Sequence, residues 1–256
     1  MLRALAIGLA LFAAASHAAD RLVKLETRPG VKVAYWMMER PGATATVVLL
    51  PGGDGSIGLR DGAPRSQNFL VRSRDDFAAA GLNVAIVGKP SDHGDLDAAF
   101  RGGAEHVADL KAIAAKLRGE YGKPLWLVGT SLGTISAAAA ASAMGPEELA
   151  GIVLTSSVTG TNRYTALSVP QLKLSDIRVP VLVMHHRKDA CDVCDPYQAH
   201  RIVEALDHAP VKKLLLVDGG GPPTGKPCQA LHYHGYIGME AEAVKTITGW
   251  IARPSP

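Results

Sequence analysis

Two kinds of segment alternate along this chain: short runs of apolar residues, and longer stretches in which apolar residues recur at helical spacing. Apolar and alternating runs predict strands at residues 22–27, 31–38, 44–50, 82–87, 124–128, 151–155, 180–185 and 213–217. Helical spacing predicts helices at residues 67–80, 95–121, 132–144, 196–209 and about 236–251. The first two strands read as an antiparallel pair. The remaining alternation of strands and helices predicts a parallel sheet that binds ligands at the carboxyl ends of its strands.

The length and composition of the chain are typical of a single globular domain. The chain has 256 residues, of which 47% are hydrophobic and 20% charged, so it can bury one sizeable core. The formal net charge is +3, and the basic residues are scattered without runs or interleaved aromatic residues. Nucleic acid is therefore not an expected partner.

The first 18 residues read as a signal peptide. A short positive segment with Arg3 is followed by an apolar segment over residues 4–15 and by the small-x-small sequence Ser16-His17-Ala18. The apolar segment is too short to span a bilayer, so we expect cleavage rather than a membrane anchor. The alternative is a buried N-terminal helix. The preferred interpretation leaves one domain, residues 19–256, in the periplasm or outside the cell.

The sequence Gly129-Thr130-Ser131-Leu132-Gly133 carries the strongest chemical signal. It follows an apolar strand and precedes an alanine-rich helix, which is the layout of a nucleophile elbow. In such a turn the serine hydroxyl projects from the carboxyl end of the sheet, and the Leu132 N–H is offered to a developing oxyanion. The alternative is a Gly/Ser turn without chemical consequence.

The elbow follows the fifth predicted strand, and the third ends in Pro51-Gly52-Gly53. With this order the chain resembles the α/β-hydrolase superfamily. Residues 68–74 and a late His-Gly pair further resemble a small uncharacterised group of exported bacterial hydrolases. The resemblance implies a mostly parallel eight-stranded sheet with helices on both faces and a minimal cap. Pro51-Gly52-Gly53-Asp54-Gly55 stands where related esterases have His-Gly-Gly-Gly, so the second oxyanion donor is Gly53 or Asp54.

The superfamily's chain order of Ser, then Asp or Glu, then His selects the other members of a triad. Asp189 follows the strand predicted at 180–185, with Asp192 as the alternative acid. His234 precedes Gly235 and the last helix in a long loop, and His232 is the alternative base. The expected triad is therefore Ser131, Asp189 and His234.

Other polar residues near the predicted site receive weaker assignments. His93 follows the fourth strand and is a candidate substrate contact, as is Asp54. Arg72 lies either on a solvated helix face or against a carboxylate. His185 and His186 invite a metal interpretation with nearby cysteines, yet adjacent residues at a strand end point to opposite faces. We expect no metal and no cofactor.

Three cysteines are an odd number for an exported protein. If Asp189 and His234 meet in a triad, the loops that carry Cys191 and Cys228 must converge at the same strand ends. The sequence therefore predicts a Cys191–Cys228 disulfide, with Cys194 left as a free, mostly buried thiol. The alternatives are a Cys191–Cys194 bond or three unpaired thiols.

The resulting hypothesis is a serine hydrolase that cleaves carboxylic esters of small molecules through an acyl-enzyme at Ser131. The predicted insert at residues 156–179 is too short for a large lid, so the site should be open. A peptidase, thioesterase or lactonase of the same mechanism is an alternative, as is a non-catalytic binding or scaffold protein. The sequence does not determine the oligomeric state.

Overall fold

The computed structural model describes residues 20–256, so the predicted signal peptide lies outside the described residues. Its main sheet has eight strands in the order β1-β2-β6-β3-β7-β8-β9-β10. The two pairings of β2, with β1 and with β6, are antiparallel, and the others are parallel. The strands are β1 (Arg21–Arg28), β2 (Val31–Met38), β3 (Ala45–Leu50), β6 (Leu82–Pro90), β7 (Leu125–Thr130), β8 (Gly151–Thr155), β9 (Val181–His186) and β10 (Lys212–Val217). A small hairpin joins β4 (Leu59–Arg60) to β5 (Ala63–Pro64).

Helices cover both faces of the sheet. They are α1 (Phe69–Arg72), α2 (Arg74–Ala79), α3 (Ala98–Gly102), α4 (Ala104–Tyr121), α5 (Gly133–Ser142), α6 (His200–Glu204) and α7 (Glu240–Ala252). One core packs α3 to α6 against the sheet, and a second packs α1, α2 and α7 against it. Because both faces are covered, β3, β7, β8 and β9 are buried along their whole length, as their continuous apolar runs predict. A mostly parallel eight-stranded sheet with helices on both faces is the architecture that the resemblance implies.

Four predicted helices differ from the observed ones. The stretch 67–80 forms α1 and α2, separated at Ser73, and 95–121 forms α3 and α4, separated at Gly103. Gly103 adopts extended angles (φ −83°, ψ 160°), which the apolar spacing around it does not reveal. The stretch 196–209 contains the 3₁₀ helix Pro196–Gln198 and the short α6.

The last helix begins at Glu240 rather than near Tyr236. Tyr236 and Gly238 both have positive φ angles (58° and 73°), which end the 3₁₀ helix Tyr233–Gly235 and prevent a continuous α-helix. Within residues 20–256, none of the helices is both long and apolar enough to cross a membrane.

Candidate active site

Ser131 lies at the sharp turn between β7 and α5. Its φ is +53°, a conformation that costs free energy for a residue with a side chain and that is often found at functional sites. The turn is closed by Gly129 and Gly133, because a Cβ on Gly129 would overlap the Gly133 carbonyl and one on Gly133 would overlap the Leu50 carbonyl oxygen. The Ser131 amide donates to the Thr155 carbonyl at 3.0 Å, which fixes the turn to β8. The sharp turn that the elbow pattern predicts therefore requires glycine at both of these positions.

The loop after β3, residues 51–55, faces the elbow and is called the oxyanion loop below. Gly52 lies directly against Ser131, since a Cβ placed on it would be 2.7 Å from Ser131 Cβ. Gly53 and Asp54, the predicted donors, are both exposed beside Ser131 in the same cavity. The Leu132 amide at the start of α5 donates no hydrogen bond to another residue within 20–256. These amides are available to a negatively charged oxygen near Ser131.

Asp189 and His234 come together from two loops that are 45 residues apart in sequence. His234 Nδ1 lies 2.8 Å from Asp189 Oδ2, and both side chains are buried. The other carboxylate oxygen of Asp189 accepts the Cys191 amide at 3.0 Å. An imidazole held at Nδ1 by a carboxylate presents Nε2 as its free basic atom. Among the described residues His234 Nε2 has no hydrogen-bond partner, Ser131 Oγ included.

The alternative acid and base have other contacts. Asp192 is exposed and accepts a hydrogen bond from Asn162 Nδ2 at 2.8 Å. The His232 ring packs edge-on against Tyr233, with ring centroids 5.5 Å apart. The geometry thus favours Asp189 and His234 as the pair next to Ser131.

A covalent bond links the loops that carry Asp189 and His234. Cys191 and Cys228 form a disulfide that closes a segment with a sequence separation of 37. Cys194 is free and buried, and burial raises the pKa of its thiol well above the ordinary value. The structure therefore has the same pairing that the sequence predicts.

Residues 191, 194 and 234 place two sulfur atoms and one imidazole nitrogen within 4.8 Å of one another. One of these sulfurs, that of Cys191, is committed to the disulfide, which removes the thiolate that a metal would need. His185 and His186 are also engaged. His185 Nε2 accepts the Ser157 amide at 2.8 Å, while His186 contacts the Gly219 carbonyl through Nε2 and the Lys188 amide through Nδ1. The disulfide thus takes one of the three candidate ligands of this cluster, and both His185 and His186 have hydrogen-bond partners.

Several residues that the sequence did not single out support the base loop. Tyr236 is completely buried, donates its hydroxyl to the Met184 carbonyl at 2.8 Å and packs on Phe69. Ser156 Oγ donates to the His234 carbonyl at 2.8 Å. Of the two alternatives that the sequence allows for Arg72, the structure shows the carboxylate contact, since Arg72 donates to Glu240 and also to the Gly235 carbonyl. Positive φ values at Ser156 and Tyr236 mark these positions in the structure, but nothing in the sequence pattern signals them.

The candidate substrate contacts differ in position. Asp54 lines the cavity and forms an exposed ion pair with Lys89, which lies 3.2 Å from its Oδ2. His93 stacks on Phe100, with ring centroids 3.6 Å apart, and is not among the residues that line the cavity. A substrate contact by His93 would therefore require a ligand that extends beyond this cavity.

The cavity around Ser131 is small and is lined by polar and apolar groups in about equal parts. Its volume is about 230 Å³, and it is open to solvent. Ser56, Ser66, Gln67 and Asn68 line one side, and Phe69 and Ala230 supply apolar surface. A larger depression of about 640 Å³ lies at the other end of the strands, near residues 118–125, and contains neither Ser131 nor a histidine.

Comparisons with solved structures identify similar architectures. An esterase from Pyrococcus furiosus has 17% identity and a TM-score of 0.65, with 92% of each chain covered. A dienelactone hydrolase from Anabaena variabilis has 15% identity and a TM-score of 0.67 over 91% of this chain and 97% of that one. A serine hydrolase without a lid from Xanthomonas campestris has 17% identity and a TM-score of 0.60 over 93% and 97%.

No protein-family model matches the sequence, and no curated protein matches it. Identities this low show the fold and leave the substrate open. By its strand order and by these likenesses, the chain has the α/β-hydrolase fold.

Proposed function

We propose that this protein is a serine hydrolase that cleaves carboxylic esters of small molecules. The observation that carries the proposal is one cavity that contains both Ser131, on its strained turn, and His234, whose Nδ1 is held by the buried Asp189. A serine hydroxyl is a weak nucleophile and needs a base that is itself oriented by a third group. This arrangement meets that requirement.

In the proposed reaction, His234 Nε2 removes the proton from Ser131 Oγ as the oxygen attacks the ester carbonyl carbon. Asp189 keeps the proton of the neutral imidazole on Nδ1 and stabilises the imidazolium that forms. The Leu132 amide and an amide of the oxyanion loop stabilise the tetrahedral oxyanion. His234 then protonates the departing alkoxide, and water attacks the acyl-enzyme to release the acid.

The cavity supports a substrate with a short acyl group. A volume of about 230 Å³ with several polar lining groups leaves little room for a long apolar chain. The segment between β8 and β9 contains only the 3₁₀ helices Val169–Gln171 and Leu174–Asp176, which agrees with the short cap that the sequence predicts. The alcohol part of the substrate would then extend into solvent.

Export to the periplasm or beyond is part of the proposal. The Cys191–Cys228 disulfide is typical of an oxidising compartment. The predicted signal peptide adds a reason from the sequence that concerns residues outside those described.

A fluorophosphonate probe and a substrate panel test the function. The probe should label Ser131, and short p-nitrophenyl esters should be hydrolysed faster than longer esters, thioesters, lactones and peptides. The matched control is Ser131→Ala, which should be neither labelled nor active. Labelling with activity only on one of the other substrate classes would replace the ester hypothesis with that class. A folded protein that is not labelled at high probe concentration would favour a non-catalytic scaffold.

A further inference from the structure

Arg101 is a buried charged side chain near the proposed site that has no role in the mechanism above. It lies in α3, is 1% exposed, and forms no salt bridge within residues 20–256. A buried cation without a carboxylate partner is costly unless its donors are all satisfied by polar groups. Its contacts therefore indicate why the fold retains it.

The guanidinium group binds the oxyanion loop at two points. Nη2 donates to the Pro51 carbonyl at 3.0 Å and to the Gly53 carbonyl at 3.2 Å. Nη1 donates to Ser136 Oγ in α5 at 3.0 Å, and Nε donates to the Leu96 carbonyl at 2.9 Å. One side chain thus connects the oxyanion loop to the helix that begins at the nucleophile.

These contacts set the direction of the predicted oxyanion donors. In a trans peptide the C=O and the following N–H point in opposite directions. Because the Gly53 carbonyl faces Arg101, the Asp54 amide faces away from Arg101. The peptide group that carries the Gly53 amide lies between the two peptide groups whose carbonyls, those of Pro51 and Gly53, accept hydrogen bonds from Arg101. Arg101 therefore restrains both candidate donors, Gly53 and Asp54, through their neighbours' carbonyls.

The charge of Arg101 adds a second effect. A cation bound to a carbonyl polarises that peptide, so its N–H becomes a stronger donor in a medium of low dielectric constant. Burial lowers the pKa of Arg101 to about 10, so the guanidinium remains charged at neutral pH. A buried positive charge behind the loop also favours the negative charge that develops in front of it.

We propose that Arg101 is a positioning residue that holds the oxyanion loop ready for the reaction at Ser131. The proposal rests on the proposed function, because it assigns Arg101 to the oxyanion step of that mechanism. Arg101 touches neither substrate nor nucleophile and acts through the carbonyl groups of Pro51 and Gly53. Ser136 supports the guanidinium from α5 and in turn contacts His106 Nε2 at 2.9 Å.

Arg101→Met and Arg101→Lys test this role in the full-length protein. Arg101→Met removes the charge and every donor, so kcat for a short p-nitrophenyl ester should fall about 100-fold, while KM changes less than threefold. Arg101→Lys keeps the charge but reaches fewer acceptors, so a loss of about tenfold is expected. A purely structural role would not separate kcat from KM in this way.

Arg28→Met is the matched control. Arg28 is also partly buried and contacts Asp109 and Asp92, but it lies in the edge strand β1. Arg28→Met should lower the melting temperature and leave kcat of the folded protein within threefold of the wild type. An Arg101→Met variant that folds and keeps kcat within threefold would overturn the proposal, as would equal losses of kcat in Arg101→Met and Arg28→Met.

The rate of Ser131 phosphonylation by a short-chain fluorophosphonate separates this proposal from the substrate assignment. That reaction also places a negatively charged oxygen beside the loop, and it requires no knowledge of the natural ester. The rate should fall about tenfold in Arg101→Lys, the variant to use if Arg101→Met does not fold. An unchanged rate in folded Arg101→Lys overturns the role of Arg101. Wild-type labelling without ester hydrolysis overturns only the ester substrate.

Discussion

Two walls of the candidate site are held in place by different physical means. The acid–base wall, formed by Asp189, Cys191, Cys228 and His234, is closed by a disulfide and by a hydrogen bond between buried side chains. The oxyanion wall, formed by residues 51–55, contains no cysteine and is held by hydrogen bonds from Arg101 and by the Leu96 amide, which donates to the Asp54 carbonyl at 3.0 Å. One wall therefore depends on oxidation and the other on a buried charge.

This difference has a structural reason. The acid and base loops are long, and the base loop runs from β10 to α7 through residues 218–239, so a cross-link removes much of its freedom. The oxyanion loop is the first part of the connection from β3 to α1, residues 51–68, which also contains the β4–β5 hairpin, and hydrogen bonds to its carbonyl groups hold it beside the central strand β3. The two walls should consequently respond to different perturbations.

The largest expected loss of kcat comes from substitution of Ser131, which lies between the two walls. Ser131→Ala should reduce kcat on short esters by about 10³-fold or more, because it removes the nucleophile. The fold should persist, since only a partly exposed hydroxyl is lost, and a thermal melt checks this. Activity within about tenfold of the wild type would show that Ser131 is not the nucleophile.

The next variant tests the acid–base wall alone. His234→Ala should reduce kcat by about as much as Ser131→Ala, and the double variant should lose little more, because the two residues act as a unit. His232→Ala is the matched control and should lose far less. Steady-state kinetics on the same ester decides between them, and an inactive His232→Ala beside an active His234→Ala would reverse the assignment.

Removal of the cross-link should affect stability more than chemistry. A disulfide across a sequence separation of 37 contributes about 4 kcal/mol in the chain-entropy model, so Cys191→Ser/Cys228→Ser should unfold at lower temperature and denaturant concentration. kcat should fall less than in His234→Ala because the hydrogen bond between His234 and Asp189 remains available. Dithiothreitol should destabilise the wild type and leave the double variant unchanged. Equal responses of the two proteins would contradict a stabilising role of this bond.

The sequence predicts the strands of the sheet better than the tertiary contacts that hold the site residues in place. Strands such as β3 and β8 follow from apolar runs, because burial on both faces leaves a local signal. The proximity of Asp189 and His234 follows from the superfamily's chain order of Ser, Asp and His, which the resemblance implies. The pattern does not predict the break at Gly103, because a glycine between amphipathic stretches does not by itself end a helix.

The role of Arg101 is the clearest example of a contact that the sequence pattern does not predict. In the sequence it is one of 27 basic residues and lies in a predicted amphipathic helix, where a charged side chain is expected to face solvent. Its acceptors Pro51 and Gly53 are 50 and 48 residues away, so no local spacing reveals the contact. Tyr236 is similar, since its partner Met184 is 52 residues away. Contacts of this kind depend on tertiary packing rather than on periodicity.

The smallest expected effect distinguishes the walls by pH. His185, next to the acid–base wall, is completely buried, and this burial lowers its pKa to about 4. Because the folded-state pKa lies below the ordinary value of 6.5, the unfolded chain binds the proton first as the pH falls. His185 therefore costs no stability above about pH 6.5 and about 3 kcal/mol once the pH reaches 4.

Urea titrations of the wild type and His185→Gln between pH 7 and pH 4 measure this contribution. Near the oxyanion wall, burial lowers the pKa of His106 to about 3, so His106 goes on destabilising the fold below pH 4, where the contribution of His185 levels off. His185→Gln should therefore be less sensitive to pH than the wild type between pH 6.5 and 4 and equally sensitive below pH 4. A constant difference in unfolding free energy across the whole range would mean that His185 titrates alike in the folded and unfolded states, and that acid does not act on the acid–base wall through this residue.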